Sequence, residues 1–142
     1  MAFIQWNDYL YGIGVEEIDQ HHKRLVELIN QLHASLQDGR PNDQIGDVLA
    51  ELVDYTKYHF SREEELMARA AYPSLARHRS LHDVFVRKIT DVLLRLRRDE
   101  DVSVFELIAF LREWLLNHIA NEDKKIGPFV SQLSDFSAKT RS

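Results

Sequence analysis

Four long segments with helical periodicity, separated by short breaks, are the feature that most constrains how this 142-residue chain can fold. In each segment apolar residues recur three or four positions apart, a pattern typical of amphipathic helices that bury one face. Gly (5) and Pro (3) are scarce, which favours a few long elements over many short strands. We therefore predict an all-α fold, an up-down-up-down antiparallel four-helix bundle with an N-terminal arm.

The breaks between the segments predict where each helix begins and ends. The expected helices run, in chain order, from about Glu17 to Gln37, from Asn42 or Asp43 to Arg69, from a cap at Ser74 to Arg98, and from Ser103 to Lys125. Gly127 and Pro128 are expected to stop the last helix. Residues 1–17 form an aromatic arm that packs onto the bundle, so the predicted domain covers 1–130. Residues 131–142 are predicted to be a tail, frayed or with a short extra helix.

Composition excludes several classes of function. Cysteine is absent, which excludes disulfides, zinc ribbons, iron–sulfur clusters and thiolate catalysis, so any metal must be held by His and carboxylates. The net charge is −5 and no block of Lys or Arg stands out, so nucleic acid is not an expected partner. We see neither a signal peptide nor an apolar run long enough to span a membrane, and we expect a cytoplasmic protein.

Ionisable residues interrupt all four apolar stripes at positions that the period of each helix assigns to the interior. They are His22, His59, Glu63, His78, His82 and His118. Burial of an unpaired ionisable group costs several kcal/mol. A single buried His is usually a neutral ring bonded to a carbonyl, but five of them with carboxylates fit that explanation poorly. A metal site fits better, because the cation supplies the compensating charge.

The spacing and the level of these residues support a shared site. His59 and Glu63 are four apart, as are His78 and His82, so each pair lies on one helix face. In an up-down-up-down bundle, the starts of the first and third helices meet the ends of the second and fourth. His22, early in the first helix, and His118, late in the fourth, therefore reach the same layer as the two pairs.

Spacing excludes two further histidines from the site and leaves the second carboxylate open. His33 lies roughly 16 Å from His22 along the helix axis, too far to share the site. His21 is rotated by about 100° from His22 and is expected outside the ligand layer. For a second carboxylate, periodicity favours Glu122, four residues after His118, over Asp123, but it does not settle the choice.

The motifs that carry these residues resemble the hemerythrins, most closely the single-domain bacteriohemerythrins. The matching stretches are 15–23 (VEEIDQHHK), 59–64 (HFSREE), 78–82 (HRSLH) and 114–125 (WLLNHIANEDKK), and the resemblance covers about residues 3–130. The ordered set H…HxxxE…HxxxH…HxxxxD is highly specific. One departure is His21, which stands where the family often has Gln.

The resemblance implies a cofactor of two iron ions with a bridging oxo or hydroxo group. Glu63 and Asp123 would bridge the irons, so the resemblance favours Asp123 over Glu122. One iron would take His78, His82 and His118. The other would take His22 and His59, which leaves one position open for dioxygen. An apolar wall over that position is expected from Leu25, Phe60, Trp114, Leu115 and Ile119.

The function implied is reversible dioxygen binding, for carriage, storage or delivery, without catalytic residues. We expect a monomer whose partner is dioxygen. The resemblance is also compatible with a protein client that receives oxygen from this chain. One alternative is an oxygen, redox or iron sensor. Another is a di-iron redox enzyme acting on peroxide or nitric oxide, although the Glu-x-x-His motif of ferritin-like sites is absent. A structural zinc site is disfavoured because zinc prefers four ligands.

Overall fold

Four long helices form a bundle that confirms the predicted fold class. The computed structural model describes residues 2–133. Its helices are α1 (Asp8–Tyr11), α2 (Glu16–Gln37), α3 (Asn42–Arg69), α4 (Leu75–Arg97), α5 (Val104–His118), a π-helical segment (Ile119–Asp123) and α6 (Lys124–Val130). α3 packs against α2 and α4, and α5 packs against α2 and α4, which closes the bundle. The predicted tail lies outside the described residues from 134 onward.

The predicted breaks between helices form by backbone turns more than by side-chain caps. After α2, Gly39 adopts a positive φ of 66°, and the amide of Arg40 donates to the carbonyl of Ser35 at 3.0 Å. This arrangement satisfies carbonyls that the helix end would otherwise leave without a partner. The predicted cap at Ser74 is confirmed in position, although its side chain makes no cap bond. The predicted caps at Asn42 or Asp43 are wrong, because Pro41 holds that cap position.

The predicted end of the fourth helix is also wrong, because the chain continues helically through Gly127 and Pro128 to Val130. Gly127 instead allows a close contact with the arm. A Cβ atom at this position would lie 2.1 Å from the carbonyl oxygen of Ile13. Only a residue without a side chain lets the two backbones approach this closely.

The arm folds back onto the bundle beside the end that carries the ionisable residues. Ile4, Ile13 and Val15 are buried in the core. The side chain of Asn30 holds the backbone of Ile4 with two hydrogen bonds, of 2.7 and 2.9 Å. Within the described part of the chain, no helix has both the length and the apolar run needed to cross a membrane.

Candidate metal centre

Seven buried side chains from α2, α3, α4, α5 and the π-helical segment converge at one end of the bundle. They form two groups that share two carboxylates. One group contains Glu63, His78, His82, His118 and Asp123, and the other contains His22, His59, Glu63 and Asp123. Within each group, one potential ligand atom per residue lies within 4.8 Å of the others. All seven residues are at most 5% exposed.

The three-histidine group is built from short contacts between ring nitrogens and carboxylate oxygens. Nε2 of His78 lies 2.8 Å from Oε1 of Glu63 and 2.9 Å from Oδ1 of Asp123. Nε2 of His82 lies 3.1 Å from the same Glu63 oxygen. Nε2 of His118 lies 3.1 Å from the same Asp123 oxygen and 3.2 Å from Nε2 of both other histidines.

The two-histidine group uses the other oxygens of the same two carboxylates. Nε2 of His22 lies 3.0 Å from Oδ2 of Asp123 and 3.7 Å from Oε2 of Glu63. Nε2 of His59 lies 3.2 Å from Oε2 of Glu63. Each carboxylate therefore directs one oxygen to each group, which is the arrangement of a bridge between two adjacent ions.

These distances fit donors gathered around a common ion as well as they fit hydrogen bonds, and several of the atoms make no hydrogen bond among residues 2–133. Two donors held about 2.1 Å from one ion at right angles are about 3.0 Å apart, close to the separations observed. Nε2 of His22 and His59, Oε2 of Glu63 and Oδ1 of Asp123 are buried and find no hydrogen-bond partner of acceptable geometry within the described residues. Lone pairs that lie close together without such geometry point to a common centre, and a cation there offsets the cost of burying them.

The π-helical segment explains why Asp123, and not Glu122, lies in the cluster. An α-helix brings residues four apart to one face, whereas the i→i+5 bonding of a π-helix brings residues five apart together. Ile119–Asp123 follows His118 directly, so Asp123 turns inward beside it. Glu122 instead faces outward, where Arg77 donates to it at 2.5 and 3.0 Å. The choice of Glu122 from spacing is therefore wrong.

Sequence reasoning missed the polar partners behind two of the histidines. Nδ1 of His82 lies 2.9 Å from Oε2 of Glu64, and Arg79 donates to the other Glu64 oxygen at 3.0 Å. Nδ1 of His21 lies 2.9 Å from Nδ1 of His59. Both partners approach from a neighbouring helix, so no spacing within one helix could reveal them.

The two histidines excluded by the sequence analysis lie outside both groups. His33 stacks on Phe3 with ring centroids 4.3 Å apart at the boundary of the core. His21 is absent from the two groups, as expected, but it is buried and contacts the back of the His59 ring.

A family model described as "Hemerythrin HHE cation binding domain" matches residues 13–130, the segment that carries all seven converging side chains. This chain belongs to the hemerythrin family. Similar bacteriohemerythrins include one from Stenotrophomonas maltophilia, 40% identical over all of this chain and 92% of its own length. Another, from Pseudomonas aeruginosa, is 43% identical over 87% of this chain and 78% of its own length. The crystal structure of a wild-type hemerythrin is similar, with a TM-score of 0.87 and 32% identity over 92% of this chain and 99% of that one.

Charge within the metal-free hemerythrin site is balanced between carboxylates and imidazoles. Burial lowers the pKa of His22, but Asp123 and Glu63 outweigh it and raise that pKa to about 9. The same balance raises the pKa of His78 to about 9. Burial favours a protonated Glu63, yet the imidazoles of His22 and His59 beside its carboxylate hold its pKa well below the usual value. Metal binding must therefore displace protons from His22 and His78, while Glu63 is already ionised.

Two of the predicted wall residues, Phe60 and Trp114, pack against histidines of the cluster. Leu25, Phe60, Leu115 and Ile119 are buried, and Trp114 is half-buried. Phe60 stacks on the ring of His82 at 3.7 Å and lies 5.7 Å from that of His59. Trp114 stacks on His118 at 4.4 Å. The two aromatic residues therefore pack against the three-histidine group, and Phe60 also reaches the two-histidine group.

Proposed function

We propose that this chain binds dioxygen reversibly at a non-haem centre of two iron ions bridged by Glu63, Asp123 and an oxo or hydroxo group. His78, His82 and His118 are the remaining ligands of one iron, and His22 and His59 those of the other. Iron is the metal that membership of the hemerythrin family implies. Similarity to bacteriohemerythrins supports a hemerythrin-type centre in this chain.

The observation that carries the proposal is the unequal number of donors in two groups that share both carboxylates. The groups offer five and four donors, so they would fill nine of the twelve positions of two octahedral ions. A single bridging oxygen would take one position on each ion. One position would then be left, on the ion of the two-histidine group. A centre with one open position suits the binding of one small ligand.

When bound, the iron pair supplies the two electrons that hold dioxygen reversibly. The chain's own contribution is to orient the ligands and to exclude water. Leu25, Phe60, Leu115 and Ile119 are almost completely buried, which lowers the local dielectric and restricts protons and water. Restricted proton access favours release of the bound ligand as dioxygen, because a protonated ligand would instead leave in a reduced form.

The test is metal analysis combined with an optical spectrum. We expect about two irons per chain, and a visible charge-transfer band that appears when the ferrous protein meets air and disappears on degassing. Glu63→Ala and His82→Ala should abolish both. His33→Ala, which removes a histidine far from the cluster, should leave them unchanged. One zinc per chain, or a band that survives loss of Glu63, would refute the proposal.

A further inference from the structure

His21 makes a contact that neither the proposed ligand set nor the apolar wall explains. His21 lies on α2 next to His22, but its ring faces α3. Its Nδ1 atom lies 2.9 Å from Nδ1 of His59, and the two rings are nearly perpendicular, at 89°. Both rings are buried. The contact therefore joins the outward-facing nitrogen of His59 to a second imidazole.

A hydrogen bond between two Nδ1 atoms requires that one of them carries the proton and the other does not. Nε2 of His59 faces Oε2 of Glu63 at 3.2 Å and must present a lone pair if it is to bind a metal. The proton of neutral His59 then sits on Nδ1 and is donated to His21. His21 accepts at Nδ1 and carries its own proton on Nε2, which faces Oε2 of Glu17 at 3.9 Å.

The surroundings hold His21 in the orientation that this bond requires. Arg62 donates to both oxygens of Glu17, at 2.7 and 3.0 Å, and so keeps that carboxylate beside Nε2 of His21. The rings of Tyr55 and Tyr58 pack against His21 with centroids 5.9 and 5.3 Å away. A rotation of the His21 ring would break contacts on both sides.

We propose that His21 is a positioning residue that fixes the tautomer and ring orientation of His59, so that Nε2 of His59 faces the two-histidine metal position. The inference rests on the proposed function for its purpose. Partners of this kind behind a metal-binding histidine typically change metal affinity by about 10- to 100-fold when they are removed. His21 differs from Glu64, the partner of His82, because it accepts the hydrogen bond as a neutral ring.

Two variants separate the accepting atom from the bulk of the ring. His21→Leu removes the acceptor, and His21→Gln keeps an oxygen that can accept from Nδ1 of His59. In the metal-free full-length chain, long-range ¹H–¹⁵N spectra of the imidazoles report the tautomer of His59. In a second measurement, anaerobic titration with ferrous ion against a competing chelator reports affinity. His33→Gln is the control for loss of a histidine elsewhere.

We expect the Nδ1–H tautomer of His59 in the wild-type chain and in His21→Gln, with ferrous affinities within about threefold of each other. In His21→Leu we expect the Nε2–H tautomer and an affinity at least about tenfold weaker. An unchanged tautomer in His21→Leu overturns the proposal, whether or not affinity falls, because weaker binding would then reflect packing alone.

If circular dichroism shows that His21→Leu does not fold, the His21→Gln variant decides the question. Retention of the Nδ1–H tautomer and of affinity supports the proposal, and loss of either overturns it. The tautomer measurement needs no metal. A wild-type chain that binds no iron would therefore refute the proposed function, but it would not change the result on the orientation of His59.

Discussion

The pair Asp123→Asn and Glu122→Gln tests whether the π-helical segment directs the correct acidic residue into the cluster. Both changes remove one negative charge from adjacent residues and keep the side-chain size. Asp123 is 1% exposed and contacts His22 and His78 at 3.0 and 2.9 Å. Glu122 lies at the surface of the bundle, paired with Arg77. Position is thus the main difference between the two variants.

The expected cost in the metal-free chain follows from the contacts of His22. Despite burial, Asp123 and Glu63 raise the pKa of His22 from 6.5 to about 9. A shift of this size corresponds to about 3 kcal/mol of stability while His22 is protonated. Asp123 is the nearer carboxylate, at 3.0 Å against 3.7 Å for Glu63. Relief of its repulsion with Glu63 offsets part of the loss, so we expect a net cost of about 2 kcal/mol.

Urea denaturation of the metal-free variants at pH 7 measures this cost, and metal analysis measures the consequence for the centre. Asp123→Asn should lower the free energy of unfolding by about 2 kcal/mol and lose at least one iron per chain. Glu122→Gln should match the wild-type chain in both measurements. Equal stability and iron content in the two variants, or loss of iron from Glu122→Gln alone, would refute the reasoning.

Three further predictions follow from the structure. In the metal-free chain, the stability contributed by protonated His22 and His78 is complete below about pH 6.5 and lost as pH rises through about 9. Urea midpoints should therefore fall across this range, and a flat profile would contradict the assignment. Gly127→Ala places a Cβ against the arm and should cost about 1–3 kcal/mol in thermal denaturation. Gly46→Ala, where the new Cβ meets only a flexible arginine side chain, should not destabilise the chain, and equal losses in both variants would disprove the close-contact role of Gly127. Trp114→Leu removes the ring stacked on His118 and should speed the decay of the visible charge-transfer band of the oxygenated protein. An unchanged decay rate with full iron content would exclude a role of Trp114 in protecting the oxygenated centre.

The helical period of the sequence was sufficient to predict the bundle and the layer in which the five histidines meet. Burial of His59 and Glu63 four residues apart on α3, and of His78 and His82 on α4, depends only on the geometry of a regular helix. Antiparallel connection then brings α2 and α5 to the same end. The structure brings these side chains together, although their roles as iron ligands remain predictions.

Helix ends were less predictable, because they depend on what another part of the chain does. Gly127 and Pro128 have the composition of a helix stop, yet the helix continues to Val130. Gly127 instead leaves space for the carbonyl of Ile13 in the arm, a contact that no local pattern around Gly127 reveals.

The sequence alone determined which residue types lie inside and at which end of the bundle they meet, because a regular period assigns every position to a face. Spacing did not settle the choice between Glu122 and Asp123, and the family resemblance favoured Asp123 without a physical reason. The tertiary structure supplies that reason, since the switch from α- to π-helical bonding after His118 changes the face on which later residues lie. It alone also placed His21 behind His59, because contacts between helices depend on how the helices pack and not on the spacing within either of them.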